Sequence, residues 1–238
     1  MLEFTDRTIL AVTAHPDDLE WLFGGTICQL ARRNRVVHII ATSGNKGTRD
    51  PGVDETALAA ARRREQMAAA AVTGVQETIF FDLPDGDLAY ASLNTLRARL
   101  YRAMRNYQPQ VLITFDPQSL DPHPDHTTVG RVAFEAGYLH PCVRYFPENE
   151  PKAWTDSPAC YLLFGTNLPE PCRVNDVTKV FPQKLEALRC HASQTGAGWD
   201  GIETALRATA AEYGKRIKAK LGEAYRRLEW VNGELRPV

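Results

Sequence analysis

The sequence predicts an α/β fold: a Rossmann-like, mainly parallel sheet flanked by helices, with a smaller C-terminal extension of strands and helices. Three observations point there. Four short apolar, β-branched segments bounded by turn residues read as buried strands: Ile9 to Thr13, Val36 to Thr42, Thr78 to Phe81 and Val111 to Phe115. Helix-like stretches separate them, and a parallel crossover needs a connection of about a dozen residues or more. The chain's unusual residues, histidines set among carboxylates, follow the ends of these strands, where an open parallel sheet gathers its ligands.

The connecting elements follow in order. Gly25 to Asn34 reads as the first helix, and Glu55 to Val72, rich in Ala, Arg, Glu and Gln, as the longest. Leu93 to Asn106 is the third, with Leu96, Leu100 and Met104 recurring on one face. A further helix is expected from Thr127. Past Gly137 the pattern weakens, because Pro141, Pro147, Pro151 and Pro158 break the chain into turns before Tyr161 to Phe164 resumes strand character. Val177 to His191 and Gly201 to Lys220 read as helices. Asn232-Gly233, between Leu228 to Val231 and Glu234 to Leu235, reads as the turn of a terminal hairpin. With no internal repeat or low-complexity segment, the 238 residues are expected to form one domain, 1–238.

Composition narrows the function. A chain that is 44% hydrophobic and 24% charged suits a packed globule. The formal net charge is -1, and the one basic cluster, Arg62-Arg63-Arg64, runs directly into Glu65. That leaves no electrostatic footprint for nucleic acid or an anionic membrane. Cys28, Cys142, Cys160, Cys172 and Cys190 are scattered without a CxxC pair and read as reduced thiols. No run approaches membrane-spanning length, and the few polar residues before Thr8 do not read as a signal peptide, so a soluble, cytoplasmic protein is expected.

Chemistry is concentrated in two loops. Ala14-His15-Pro16-Asp17-Asp18 follows the first strand and precedes Gly24-Gly25. A turn that aims His15 and Asp18 at one point supplies the neutral imidazole and carboxylate that a divalent cation takes, leaving Asp17 free to act on water. Alone, this loop also fits an ordinary turn in which Asp18 caps a helix. After the fourth strand comes Asp116, then Asp121-Pro122-His123-Pro124-Asp125-His126. A proline-rich loop with an aspartate cap explains Asp125 but not two histidines, and both loops fall at strand ends that a parallel sheet would bring together. Two histidines and one carboxylate leave an open coordination position, as catalytic zinc sites do. A cation there acidifies water and polarises a carbonyl while a carboxylate takes the proton. The first strand is not followed by G-x-G-x-x-G, which argues against a dinucleotide-binding oxidoreductase.

His15-Pro16-Asp17-Asp18, Gly24-Gly25 and Pro122-His123-Pro124-Asp125-His126 together resemble the LmbE/PIG-L family of zinc-dependent N-deacetylases. Weaker matches are Arg63 to Glu65 and Lys184 to His191 with Ser193-Gln194, so the likeness covers roughly Ile9 to Gln194. It implies that His15, Asp18 and His126 are metal ligands for Zn2+ or another divalent metal. It implies Asp17 as general base, His123 as the group that meets the oxyanion or protonates the leaving amine, and Asp125 as the acid orienting it. One departure is Leu19, where the family often has an acid, with Glu20 following. The likeness further implies an N-acetylglucosamine-containing small molecule as substrate and a homo-oligomer, with a hexamer as one form. Other readings of the same pocket are an amide hydrolase for a non-sugar metabolite and a non-catalytic metal-binding sensor.

An outer layer of candidates surrounds this centre. The polar loop Ser43 to Pro51 lies at another strand end, and its Asn45 and Arg49 are candidates for sugar hydroxyls. Asp85, in Asp82-Leu83-Pro84-Asp85-Gly86-Asp87, follows the third strand and is a candidate acceptor for a polyol. Arg63, on the long helix, and His191, near a helix end, complete the substrate-binding candidates, with His191 serving its own or a neighbouring subunit's pocket. His38 and His140 lack acidic neighbours and read as structural. Trp154 and Trp199 read as packing residues ahead of sugar stacking.

Overall fold

A computed structural model describes residues 2–149 and 156–238, which leaves Trp154 outside the described residues. The strands are β1 (Thr8–Thr13), β2 (Arg35–Thr42), β3 (Glu77–Leu83), β4 (Val111–Phe115), β5 (Cys160–Phe164), β6 (Arg173–Asp176), β7 (Gly222–Val231) and β8 (Glu234–Pro237). The helices are α1 (Asp18–Leu30), α2 (Glu55–Thr73), α3 (Leu93–Tyr107), α4 (Pro124–Leu139), α5 (Phe181–Arg189), α6 (Ala192–Thr195) and α7 (Trp199–Lys215). One sheet runs in the order β3-β2-β1-β4-β5-β7-β6, with β8 paired to β7. The first five strands are parallel, whereas β7 is antiparallel to β5 and to β6.

The strand order places the site. From β1 the chain moves outward through β2 to β3, then returns to lay β4 along the other side of β1. The direction of winding therefore reverses between β1 and β4, and a crevice opens beyond their carboxyl ends. Both histidine loops leave the sheet at that crevice. Behind them the strands form a continuous apolar layer in which Ile9, Leu10, Ala11 and Val12 have no solvent exposure. Burial on both faces is what a parallel sheet covered by helices requires. A smaller cluster of Cys28, Val177, Val180, Phe181, Leu185 and Ala210 packs α1, α5 and α7 together.

Several boundaries differ from the sequence expectation, each for a physical reason. The first helix runs Asp18–Leu30 rather than Gly25 to Asn34, so Gly24 and Gly25 lie inside it rather than at its start. They are sites of close approach: a Cβ on Gly25 would stand 2.9 Å from Val177 Cβ, and one on Gly24 3.3 Å from Lys184 Cγ. Through that gap a buried ion pair reaches the helix backbone. Lys184 Nζ donates to Trp21 O at 2.9 Å and to Glu223 Oε1 at 2.7 Å, while Glu223 accepts from the main-chain N–H groups of Gly25 and Thr26. Trp21 O and Gly25 N are ordinary partners in a regular helix, so the ion pair bonds to an acceptor and a donor of one turn of α1. Strand β7 begins at Gly222, six residues before the expected Leu228, because the buried Glu223 and Arg226 hide its strand pattern. The helix expected from Val177 begins at Phe181, and the one expected over Gly201 to Lys220 runs Trp199–Lys215. No helix among the described residues is long and apolar enough to cross a membrane.

Candidate metal centre

The loop after β1 is held from all sides. Asp18, the first residue of α1, turns its carboxylate back so that Oδ2 accepts from the N–H of Ala14 at 3.1 Å and of His15 at 2.7 Å. Asp17 has a φ of 100°, a left-handed conformation that a non-glycine residue adopts only when its surroundings hold it there. Its N–H donates to Gln66 Oε1 at 2.9 Å, its Oδ1 accepts from Arg62 Nη2 at 3.0 Å, and its Oδ2 accepts from Trp21 Nε1 at 3.3 Å. Arg62 also donates to Pro16 O and Gly44 O, tying this loop to the turn after β2.

The loop after β4 ends where α4 begins, with proline at the first helical position and His123 as its cap. His123 Nδ1 accepts from the N–H of Asp125 at 3.2 Å, and Asp121 Oδ1 accepts from the N–H of His123 at 2.9 Å. This folding brings His126 to His15 and Asp18. His15 Nδ1 lies 3.2 Å from His126 Nε2; His126 Nε2 lies 3.2 Å from Asp18 Oδ1; His15 Nδ1 lies 3.5 Å from Asp18 Oδ2.

Those three separations test whether a cation fits. Zinc binds imidazole nitrogen and carboxylate oxygen at about 2.0–2.2 Å, and two ligands of a tetrahedron at that radius stand about 3.3–3.6 Å apart. His15 Nδ1, His126 Nε2 and Asp18 Oδ1 supply two edges of about that length, whereas the third separation runs to Asp18 Oδ2, the oxygen that accepts the N–H groups of Ala14 and His15. The opposite ring nitrogens carry carboxylates: His126 Nδ1 is 3.1 Å from Asp121 Oδ2, and His15 Nε2 is 3.1 Å from Asp85 Oδ1 and 3.4 Å from Asp125 Oδ2. A carboxylate on the far nitrogen fixes ring orientation and raises the basicity of a metal-ligating histidine. The donors of His15, His123 and His126 also lie within 4.8 Å of one another, as do those of His15, Asp85 and Asp125. The Nε2 of His15 is engaged by the two carboxylates, so its Nδ1, which faces His126 and Asp18, is the nitrogen free for a cation.

Electrostatics follow this packing. Burial opposes charge on His15, but Asp18, Asp125 and Asp85 outweigh it and hold its pKa well above the ordinary value. Burial likewise opposes charge on Asp18, and His15 and His126 overcome it and hold the carboxyl well below the usual range. Asp17 goes the other way: burial, opposed by Arg62 and reinforced by Asp18, pushes its carboxyl up to about 6. A buried carboxylate with a pKa near neutrality is suited to accept a proton and release it again. His123 is lowered by burial and by the neighbouring His15 and His126, which favours its neutral form.

The structure brings His15, Asp17, Asp18, His123, Asp125, His126 and Asp85 together, with Asn45 beside Asp85, and sets Arg63 and His191 apart. Asp125 is fully buried with its carboxylate facing His15, its Oδ2 and Oδ1 accepting from the N–H groups of Gly86 and Leu88, and it is its main-chain N–H that bonds to His123 Nδ1. Asn45 stands beside Asp85, accepting its N–H at 3.2 Å, and its amide nitrogen donates to Glu55. Arg49 is exposed on the same loop. Arg63 points away to solvent, 3.0 Å from Asp82 and over the Phe80 ring, because it lies on the outer face of α2. Its neighbour Arg62 occupies the inner face. His191 has no exposed surface and cannot touch a substrate in the cleft; its Nε2 faces Glu20 Oε2 at 3.5 Å. His38 and His140 are buried and structural as expected, the first bonded to Thr13 Oγ1 and pushed down to about 4 by burial. Trp199 packs on the smaller core under Arg189. The five cysteines are free, and burial pushes Cys28 and Cys160 up to about 12, as thiols.

Sequence reasoning missed Arg62, Gln66, Glu20 and Asp121. Helical spacing could have found the first two: Leu58, Arg62, Gln66, Ala69, Ala70 and Thr73 form the buried stripe of α2. Glu20 and Asp121 carry no such signal, since a charged residue next to a motif is ordinarily solvated.

A Rossmann-like sheet with this two-histidine, one-carboxylate cluster at its crevice belongs to the class of LmbE-like deacetylase folds. Within that class the chain is a member of the PIG-L family, described as GlcNAc-PI de-N-acetylase, whose pattern residues 10–137 match. It is 29% identical over 198 residues to a probable N-acetyl-alpha-D-glucosaminyl L-malate deacetylase 2 of Bacillus anthracis, covering 79% of this chain and 82% of that protein. It is 30% identical over 200 residues to a 4-oxalmesaconate hydratase of Pseudomonas putida, covering 79% and 74%. Among solved structures, the N,N'-diacetylchitobiose deacetylase of Pyrococcus horikoshii superimposes with a TM-score of 0.85 at 29% identity, covering 94% of this chain and 84% of that one.

Proposed function

We propose that this protein is a zinc-dependent N-deacetylase that removes the acetyl group from an N-acetylglucosamine-containing small molecule. The observation that carries the reading is the meeting of His15 Nδ1, His126 Nε2 and the Asp18 carboxylate, with Nδ1 and Oδ1 each 3.2 Å from His126 Nε2, beside a carboxyl held at about 6. A divalent cation held by those three would acidify water and polarise the amide carbonyl. Asp17 takes the proton of the attacking water on its carboxylate, with Arg62 and Trp21 fixing the orientation of its two oxygens. His123, half-buried and neutral, donates its Nε2 proton toward the oxygen that becomes anionic, since Nδ1 accepts the Asp125 N–H. Asp121, Asp85 and Asp125 hold the two ligand imidazoles in place. Names of relatives support the substrate class: an N-acetylglucosaminyl malate in one and a chitobiose in another.

The hydratase relative makes addition of water to an unsaturated polycarboxylate the second reading. The same base and cation would serve either reaction, and only the bond attacked differs. Metal analysis of the purified protein, with acetate release measured across N-acetylglucosamine conjugates, tests both. One equivalent of zinc and stoichiometric acetate and amine are expected. Hydration of 4-oxalmesaconate without acetate release from any N-acetyl sugar would replace the proposal. A homo-oligomer in the cytoplasm completes the reading, and light scattering measures the assembly.

A further inference from the structure

We propose that Gln66, Glu20 and His191 form a positioning chain for Asp17, through which the buried corner between α5 and α6 fixes the orientation of the base. The inference rests on Asp17 being the base of the proposed reaction. Its φ of 100° is one that a residue with a side chain keeps only when its surroundings hold it there, and its N–H ends on Gln66 Oε1 at 2.9 Å. Gln66 stands about one helical turn beyond Arg62 on the buried stripe of α2. One face of α2 therefore takes both the carboxylate of Asp17, through Arg62, and its main chain, through Gln66.

An amide side chain accepts at one end and donates at the other, so Gln66 can hold the Asp17 N–H only with its oxygen turned inward. Glu20 decides that orientation. Its Oε1 accepts from Gln66 Nε2 at 2.9 Å; a reversed amide would set oxygen against oxygen there and an NH2 group against the Asp17 N–H. His191 faces the other oxygen of Glu20, with Nε2 3.5 Å from Oε2. Whichever of those two atoms carries a proton, Oε1 is left to accept. Glu20, Gln66 and His191 have no exposed surface, and among the described residues neither ring nitrogen of His191 nor Glu20 Oε2 has a hydrogen bond. Burying an imidazole and a carboxylate as mere filling is costly, and apolar side chains would fill the same space; this pair gives the Gln66 amide a single orientation. The corner that carries His191 is itself anchored. Ser193 donates its N–H and its hydroxyl to Glu65 at 2.8 and 2.7 Å, and Gln194 Nε2 donates to Gly47 O at 3.1 Å. His191 is thus tied to α2 and to the turn after β2, both of which Arg62 joins to the loop of Asp17.

Reversing the chain tests it. Gln66→Glu keeps an oxygen for Asp17 but turns a second carboxylate on Glu20, whereas the double variant Glu20→Gln/Gln66→Glu restores complementarity with donor and acceptor exchanged. These two, Gln66→Met and His191→Phe are compared with wild type on the pH-independent plateau for kcat and KM. Zinc content, melting temperature and, by NMR, the hydrogen-exchange rate of the Asp17 amide are measured on the same proteins. Gln66→Met and Gln66→Glu are expected to lower kcat about 100-fold, as a misplaced catalytic group does, and to speed Asp17 exchange, with KM and zinc content unchanged. The double variant should recover about tenfold in kcat over Gln66→Glu and slow the exchange again. His191→Phe, which releases only the outer end, should lower kcat by about tenfold. Wild-type kcat in Gln66→Met or in His191→Phe, a double variant no better than Gln66→Glu, or losses of kcat that follow zinc content or melting temperature would overturn the chain. Should Gln66→Met not fold, Gln66→Asn, with the same amide one carbon shorter, is read in its place. Should no N-acetyl sugar be hydrolysed, the exchange rates decide alone. An Asp17 amide released in Gln66→Glu and protected again in the double variant keeps the chain and removes only the deacetylase reading, whereas exchange indifferent to every variant removes the chain.

Discussion

The loop after β1 and the loop after β4 each bring one imidazole to the same point, yet they differ in confinement. His15, Asp17 and Asp18 are 6%, 8% and 7% exposed, and each has its main chain or its carboxylate bonded into the protein. In the second loop, Pro122 and Pro124 are exposed, His123 is half-buried, and the His126 side chain keeps 17% of its surface open. A group surrounded by satisfied hydrogen bonds cannot relax when a ligand arrives, so the first loop sets where the cation must sit. The more open loop can adjust, and it carries the residue that must meet substrate. Fixed geometry on one side and access on the other is the division that the following variants break or sharpen.

The largest effect is expected at Asp18, which acts as ligand and as the acceptor that shapes its own loop. Asp18→Ala removes both functions and should abolish metal binding and activity together, with a fall in melting temperature. Asp18→Asn keeps an oxygen for the N–H groups of Ala14 and His15; it should keep the melting temperature of the metal-free protein while weakening zinc binding. Thermal melting and metal content measured on both variants check this. Equal losses of stability would show that the carboxylate's charge, not its acceptor geometry, holds the loop.

Next in size is Asp17→Asn, which should leave zinc content unchanged and lower kcat by about 10²–10⁴, the usual contribution of a positioned base. Undiminished turnover would move the base elsewhere. A smaller loss is expected in the second loop: Asp121→Asn removes the carboxylate on His126 Nδ1, and such partners contribute about 10- to 100-fold in metal affinity or activity. Competitive chelation gives the affinity directly. If Asp121→Asn cost more than Asp17→Asn, the more open loop would be the stricter of the two.

The same contrast explains what could be read from the sequence. The four central strands and the meeting of the two loops were legible because apolar runs and strand-end histidines obey local rules. The ligand assignment came from family likeness. What stayed hidden was long-range. Glu20 and His191 are fully buried together, a pairing between residues on α1 and at the start of α6 that no local pattern encodes. Glu223 and Lys184 hid a strand and the purpose of Gly24-Gly25 in the same way, since their partners lie elsewhere in the chain.

Arg62 and Arg63 reduce that lesson to one residue of helical phase. A step of one residue along an α-helix turns the side chain by about 100°, which on α2 is the difference between the centre and open water. Arg62 bridges Asp17, Pro16 and Gly44 from inside, whereas Arg63 pairs with an Asp82 whose side chain is 57% exposed. Exposed pairs contribute little, because solvent screens them and two long side chains lose freedom in forming them. Arg63→Ala is therefore expected to leave kcat/KM and zinc content unchanged and to shift stability by less than about 0.5 kcal/mol. Arg62→Ala, made in parallel, should raise the Asp17 pKa, because the guanidinium is the first cause lowering it. The acid limb of the kcat/KM profile should then move to higher pH, with activity lost earlier as pH falls through the raised pKa. A matching shift in Arg63→Ala would place the outer arginine in the site after all.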